Sequence, residues 1–66
     1  MDRDVQISSI ISFVDNNRES MASRMVCAKV LGQKDGRIND EIVKELHARL
    51  PRAKQEVIDD CFEIIK

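Results

Sequence analysis

The chain has 66 residues, enough for one small domain and too few for a two-lobed enzyme with a deep cleft. Hydrophobic residues make up 42% of it and charged residues 35%, a balance typical of globular rather than disordered proteins. Eleven basic and twelve acidic residues give a net charge of −1, without the basic excess that is typical of a non-specific nucleic-acid binder. Two Gly and one Pro leave few helix-breaking positions, so we predict a single helical domain over residues 1–66.

Charge is distributed unevenly along the chain. Residues 1–17 carry a net charge of −2, residues 18–54 carry +4, and residues 55–66 carry −3. The middle is therefore mildly basic and both ends are acidic. We expect these segments to complement one another, within the fold or between subunits.

The first predicted helix is amphipathic. Its apolar face has the i, i+3, i+4, i+7 spacing and consists of Ile7, Ile10, Ile11 and Val14. The Asp-Asn-Asn run at residues 15–17 predicts its end, because these side chains compete for backbone hydrogen bonds.

A second helix follows, and two N-caps are open for it: Asn16, in a capping box with Glu19, or Ser20. Its apolar residues form two neighbouring lines, Met21, Met25 and Ala28 in one and Cys27, Val30 and Leu31 in the other. Gly32 fits the left-handed position just beyond a helix end. A polar turn is then predicted over residues 33–37.

Asn39, followed by two acidic residues, is a strong start signal for a third helix. The apolar face of that helix consists of Ile42, Val43, Leu46 and Leu50. Proline is tolerated only in the first turn of a helix, so a fourth helix is predicted to begin near Pro51 or Arg52. No stretch alternates with the period of a strand. We predict an all-α, compact bundle of four helices of about 10 to 14 residues each.

The fourth predicted helix carries apolar residues on more than one face. Three other short helices are expected to leave part of this surface uncovered, and exposed apolar patches mark interfaces. We predict a partner-binding surface made of Val57, Ile58, Phe62 and Ile65. Self-association as a homodimer would cover it. Met21 and Met25 are adaptable additional contacts.

The cysteine count favours a reducing compartment. Two cysteines are too few for the framework of a small disulfide-rich secreted protein. The N-terminus lacks a signal-peptide pattern, and no apolar run approaches the roughly 18 residues of a membrane span. We therefore expect a cytoplasmic protein without a membrane segment, with free thiols at Cys27 and Cys61. The sequence leaves open whether the two thiols meet.

No motif for catalysis or metal binding is found. The spacings between Cys27, His47 and Cys61 match none of the short ligand pairs that form zinc sites. Asp59 and Asp60 are adjacent, so on a helix they point about 100° apart and cannot form a facing acid pair. Neither a glycine-rich phosphate loop nor a hydrolase motif occurs. We expect no metal, no cofactor and no catalytic activity.

Residues 20–50 also have features of a degenerate helix-turn-helix. The residues at its turn and buried positions are Ala28, Leu31, Gly32 and Ile38. The basic residues that would contact nucleic acid are Lys34, Arg37, Arg49, Arg52 and Lys54. Against this interpretation, Asp40 and Glu41 would face the DNA backbone, and the connection exceeds the usual three or four residues.

The preferred prediction is a small non-catalytic regulatory module that binds a protein through its apolar helical surface. A DNA-binding transcriptional regulator is the alternative.

Overall fold

A computed structural model of the chain describes residues 2–32 and 37–66. In these residues the helices are α1 (Arg3–Asn16), α2 (Met21–Leu31), α3 (Asp40–Arg49) and α4 (Gln55–Ile65), with a 3₁₀ turn at Leu50–Arg52. No strand occurs over the same residues. The predicted all-α compact bundle of four short helices is therefore confirmed.

The N-caps of α2 and α3 use side chains that the sequence indicates. Asn39 Oδ1 accepts a 2.9 Å hydrogen bond from the backbone amide of Ile42, as predicted. Of the two caps left open for α2, Ser20 is the one used, and its Oγ accepts a 3.1 Å bond from the backbone amide of Ser23. Asn16 is instead the last residue of α1. Each cap satisfies an amide that the helix itself leaves without a partner.

The predicted end of α2 is confirmed, whereas the predicted start of α4 is wrong. Gly32 has a φ of 74°, the left-handed conformation expected beyond the last helical residue. Pro51 lies in the 3₁₀ turn, and α4 begins only at Gln55. The reason is that Ala53 adopts an extended conformation, with φ −71° and ψ 156°, which separates the 3₁₀ turn from α4.

The core is formed by residues from all four helices and the 3₁₀ turn. Its buried side chains are Ile10, Val14, Val26, Cys27, Leu46, Leu50, Ile58 and Cys61. The most extensive helix contacts are those of α4 with α1 and with α2, so α4 lies between these two helices. The predicted apolar faces of α1 and α3 do point into this core.

The buried face of α2 agrees only in part with the prediction: the predicted line of Cys27, Val30 and Leu31 packs into or against the core, whereas the line of Met21 and Met25 does not. The buried residues of the helix are Ser23, Val26 and Cys27. Val26 was absent from both predicted apolar lines, and Ser23 is polar. Ser23 is tolerated inside because its Oγ pairs with the Ser20 hydroxyl at 3.1 Å. The line through Met21 and Met25 points away from the core and is exposed.

One salt bridge and one histidine–carboxylate contact link segments of opposite net charge. Lys29 Nζ lies 3.2 Å from Asp60 Oδ2, which joins the basic middle of the chain to its acidic end. His47 Nε2 lies 3.4 Å from Asp15 Oδ2, which joins the middle to the acidic start. These side chains are about half exposed to solvent, so each contact contributes at most about 1 kcal/mol.

Candidate functional site

A polar cluster fastens the start of α1 to the start of α4. The Arg3 guanidinium donates hydrogen bonds to the carbonyl oxygen of Ala53 at 2.6 Å and to that of Pro51 at 3.0 Å. It also donates to Gln55 Oε1 at 2.9 Å. One side chain thus satisfies carbonyl groups in the irregular corner before α4 and holds the beginnings of both helices together.

Gln6 is the buried polar residue of this cluster. Its Nε2 donates to Asp59 Oδ1 at 3.0 Å, and Gln55 Nε2 donates to Gln6 Oε1 at 2.9 Å and to Asp59 Oδ1 at 2.8 Å. These donors favour the ionised carboxylate and so hold the pKa of Asp59 below its ordinary value. Sequence reasoning did not single out Gln6. The spacing of the sequence does indicate that Gln6 is buried, because Gln6 lies one turn before Ile10 and two turns before Val14 on the same buried stripe.

Gln6→Ala tests this cluster. Loss of the amide leaves the partner groups with fewer hydrogen bonds, so the free energy of unfolding should fall by about 1–2 kcal/mol. The pKa of Asp59 should also rise toward its ordinary value. Urea denaturation measures the first effect and an NMR titration of the side-chain carboxyl measures the second. Ser8→Ala, at an exposed position of α1, is the control and should change neither. An unchanged Asp59 pKa in Gln6→Ala would contradict the assignment.

The two adjacent acids of α4 face different helices. Asp59 accepts from Gln6 of α1, whereas Asp60 pairs with Lys29 of α2. The two side chains do not face each other, as the helical spacing predicts. They also define two flanks of α4, one next to α1 and one next to α2.

The residues predicted to bind a partner do not share one exposed face. Ile58 is 0% exposed and belongs to the core, so its assignment to an accessible surface is wrong for the folded chain. Val57, Phe62 and Ile65 are partly buried and pack against the core. Val57 and Phe62 are five residues apart, or about 140° around the helix. The physical reason is that α4 lies between α1 and α2, which cover different parts of its apolar surface.

The most exposed large apolar side chain among the described residues is on α2. Met21 is 69% exposed, and Met25, one turn later, is 49% exposed. Ala28 continues the line and is partly buried. We call these three residues the methionine face. It points away from the side of α2 that contains Val26 and Cys27.

The contacts of Lys29 indicate how the methionine face is placed relative to α4. Lys29 pairs with Asp60, and it lines one pocket together with Val57. Met25 lies one turn before Lys29 and Ile64 one turn after Asp60. The Lys29–Asp60 pair therefore places this part of α2 beside the middle of α4.

The basic residues of the alternative prediction fall into separate places. Arg49, Arg52 and Lys54 line one pocket of about 420 Å³, together with Lys29. Arg37 lines a different cavity, next to α2 and the turn before it. Lys34 lies outside the described residues.

The geometry around α3 does not favour a recognition helix. Residues 32–39 separate α2 from α3, more than the three or four residues of a helix-turn-helix connection. The exposed positions of α3 include Asp40, Glu41 and Glu45, which would repel DNA phosphates. Arg18 Nη1 lies 2.7 Å from Asp40 Oδ1 and keeps the pKa of this carboxyl below its ordinary value, so Asp40 is ionised. Gly36, which would lie in the recognition helix, is outside the described residues.

Both cysteines are free, buried thiols, and His47 lies apart from them next to Asp15. Burial raises the pKa of Cys27, and it raises the pKa of Cys61 to about 11, which disfavours the nucleophilic thiolate. Within residues 2–32 and 37–66, no three His, Cys, Asp or Glu side chains are placed to hold a metal ion.

Comparisons with protein-family models, with curated proteins and with solved structures found no match to this chain. None of the helices in the described part of the chain is long and apolar enough to cross a membrane.

Proposed function

We propose that this chain is a small, non-catalytic regulatory protein that binds another protein chain, a second copy of itself, through an apolar helical surface. The observation that supports this proposal is the exposure of Met21 and Met25, at 69% and 49%. Burying one such side chain contributes about 1.5–3 kcal/mol. A two-fold symmetric dimer would bury the pair on both subunits. Unbranched methionine side chains also adapt well to a partner surface.

The proposed interface centres on the methionine face and extends onto α4. Val57 of α4, which lines one pocket with Lys29 of α2, and Ile64, one turn after Asp60, are both partly exposed. Ile65 is partly exposed near the end of the same helix and adds to the apolar rim. Phe62 lies on the α1-facing flank and is peripheral to this interface. An interface of this kind replaces the predicted one, which consisted of Val57, Ile58, Phe62 and Ile65.

The non-catalytic character of the proposal is supported by how the polar groups are used. The carboxylate of Asp59 and the guanidinium of Arg3 bond groups in neighbouring elements, where they hold helices together. The cytoplasmic location is supported by two free thiols in the core, the state that a reducing compartment maintains.

The double substitution Met21→Asp and Met25→Asp tests the proposal. Light scattering should give twice the monomer mass for the natural chain and the monomer mass for the variant, because four carboxylates would meet in the dimer interface. Both side chains are solvent-exposed, so the helical circular-dichroism signal of the variant should remain.

Val5→Asp is the matched control, since Val5 is an apolar side chain on α1 with 50% exposure, similar to that of Met25. This variant should keep the dimer mass. A natural chain that is monomeric at millimolar concentration would refute self-association. Dissociation by Val5→Asp but not by the methionine variant would place the interface on α1 instead.

The alternative function, DNA binding by a transcriptional regulator, keeps one supporting feature: Arg49, Arg52 and Lys54 share one pocket. The acidic exposed side of α3 and the long connection before it favour the interaction protein. A gel shift with duplex DNA at low salt tests the alternative directly, and steep weakening with salt would support it.

A further inference from the structure

We infer that the pocket shared by Arg49, Arg52 and Lys54 binds a phosphate monoester carried on an apolar group. The pocket lies where the C-terminal end of α2, the 3₁₀ turn and the start of α4 meet. We call it the basic pocket. Its volume of about 420 Å³ is within the range of 300–1,000 Å³ typical of small-ligand sites.

Four cationic side chains from different parts of the chain line the basic pocket. Lys29 comes from α2, Arg49 from the end of α3, Arg52 from the 3₁₀ turn and Lys54 from the residue before α4. Lys29 is partly neutralised by Asp60 at 3.2 Å. Among the described residues, the other three have no acidic side chain within ion-pair distance. In a chain with a net charge of −1, this is a local excess of positive charge around one concavity.

The number of cations favours a doubly charged ligand. Three neighbouring positive charges repel one another, and an anion placed among them relieves this repulsion in proportion to its own charge. A phosphate monoester is a dianion above a pH of about 6, whereas a phosphodiester, a sulfate ester or a carboxylate carries one charge. The two guanidinium groups also supply paired N–H donors that match phosphate oxygens.

The remaining lining explains why the phosphate should carry an apolar group. Val30, Ala53 and Val57 line the same pocket and are partly buried. Inorganic phosphate gains nothing from apolar surface, whereas an aromatic or aliphatic ester would remove it from water. Such a ligand could be a small phosphorylated molecule or a phosphorylated side chain of a peptide, and the shared chemistry is the phosphate monoester.

The basic pocket shares one residue, Val57, with the α4 part of the proposed dimer interface. It uses none of the three residues of the methionine face, so the substitutions that test dimerisation leave the basic pocket intact. Failure of either proposal can therefore be recognised separately.

The test is a titration of the ¹⁵N-labelled chain with phenyl phosphate, followed by NMR at pH 7.5. Amide shifts should move at Val30, Ala53 and Val57, and the binding should saturate in the millimolar range or below. Phenyl sulfate has the same shape with one charge fewer and should bind about tenfold more weakly, as should inorganic phosphate, which lacks the ring. Affinity for phenyl phosphate should also fall when the pH drops below about 6.

Arg52→Gln should weaken the binding of phenyl phosphate by about fivefold or more, because it removes a charge-assisted contact. Arg24→Gln is the matched control: it is an exposed arginine outside the basic pocket and should leave the affinity within about twofold. A phosphotyrosine peptide that binds more tightly than phenyl phosphate would support a peptide source, and equal affinity would support a small molecule.

Three results would overturn the inference. The first is equal binding of phenyl phosphate and phenyl sulfate. The second is an equal effect of Arg52→Gln and Arg24→Gln on the affinity. The third is that phenyl phosphate leaves the amide shifts of the pocket unchanged. If a short DNA duplex moved these amides and phenyl phosphate did not, the basic pocket would belong to a nucleic-acid interface.

Discussion

Ile58→Asp is expected to unfold the chain in dilute buffer at neutral pH. Ile58 is 0% exposed and belongs to the core that α4 shares with its neighbours. An unpaired carboxylate at such a position costs several kcal/mol. A domain of this size has only about 3–5 kcal/mol of stability, so the whole margin is lost. Far-ultraviolet circular dichroism should show loss of the helical signal at 25 °C.

Two further variants separate folding from binding. Ile58→Val removes one methylene group and should cost about 0.5–1.5 kcal/mol while the helices remain. Phe62→Asp changes a partly buried side chain on the α1-facing flank of α4 and should stay folded. If Ile58→Asp kept its helical signal and lost only partner binding, Ile58 would be an accessible residue after all. Otherwise, loss of binding by this variant reports unfolding and gives no information on the interface.

The elements predicted best are those whose signals are local. The start of α3 depends on Asn39 and the two acids after it, and its buried face on the spacing of Val43, Leu46 and Leu50. The end of α2 depends on Gly32, whose conformation follows from the absence of a Cβ atom. These features need only neighbouring residues and no knowledge of the tertiary arrangement.

The accessible surface was predicted less well because it depends on which helices become neighbours. Apolar residues on several faces of α4 were interpreted as surplus surface. In the structure they are covered from two sides, by α1 and by α2, and Ile58 is enclosed. The apolar line of Met21 and Met25 has the spacing of a core face and is exposed. Spacing identifies an apolar face, but it does not identify the helix that covers it.

The basic pocket illustrates the same limit for a site. Arg49, Arg52 and Lys54 are close in sequence, and their grouping as basic residues was predictable. Their arrangement around one concavity with Lys29 depends on the corner at Ala53, where the chain leaves the 3₁₀ turn in an extended conformation. Arg37 was predicted together with these basic residues, yet it lies in another cavity.

Raising the pH from 9 to 11 is expected to destabilise the chain strongly, because of Cys61. Its thiol is 0% exposed, and burial raises its pKa from 9.0 to about 11. Well below pH 9 the thiol is protonated in both the folded and the unfolded chain, so its ionisation costs the folded chain no stability. Between the two pKa values only the unfolded chain ionises, which draws the equilibrium toward unfolding. The loss is on the order of 2–3 kcal/mol, a large part of the stability of so small a domain.

Urea denaturation curves recorded from pH 7 to pH 10.5 measure this loss. Cys61→Ala is the decisive comparison, since the alanine variant has no thiol to ionise at this position. The variant should start with lower stability, because a smaller side chain leaves a cavity in the core. Its stability should then fall less steeply above pH 9 than that of the natural chain. Cys27 also has a raised pKa and remains in the variant, so part of the alkaline loss should persist. Parallel curves for the two proteins would show that Cys61 does not resist ionisation, and that the core around it admits water.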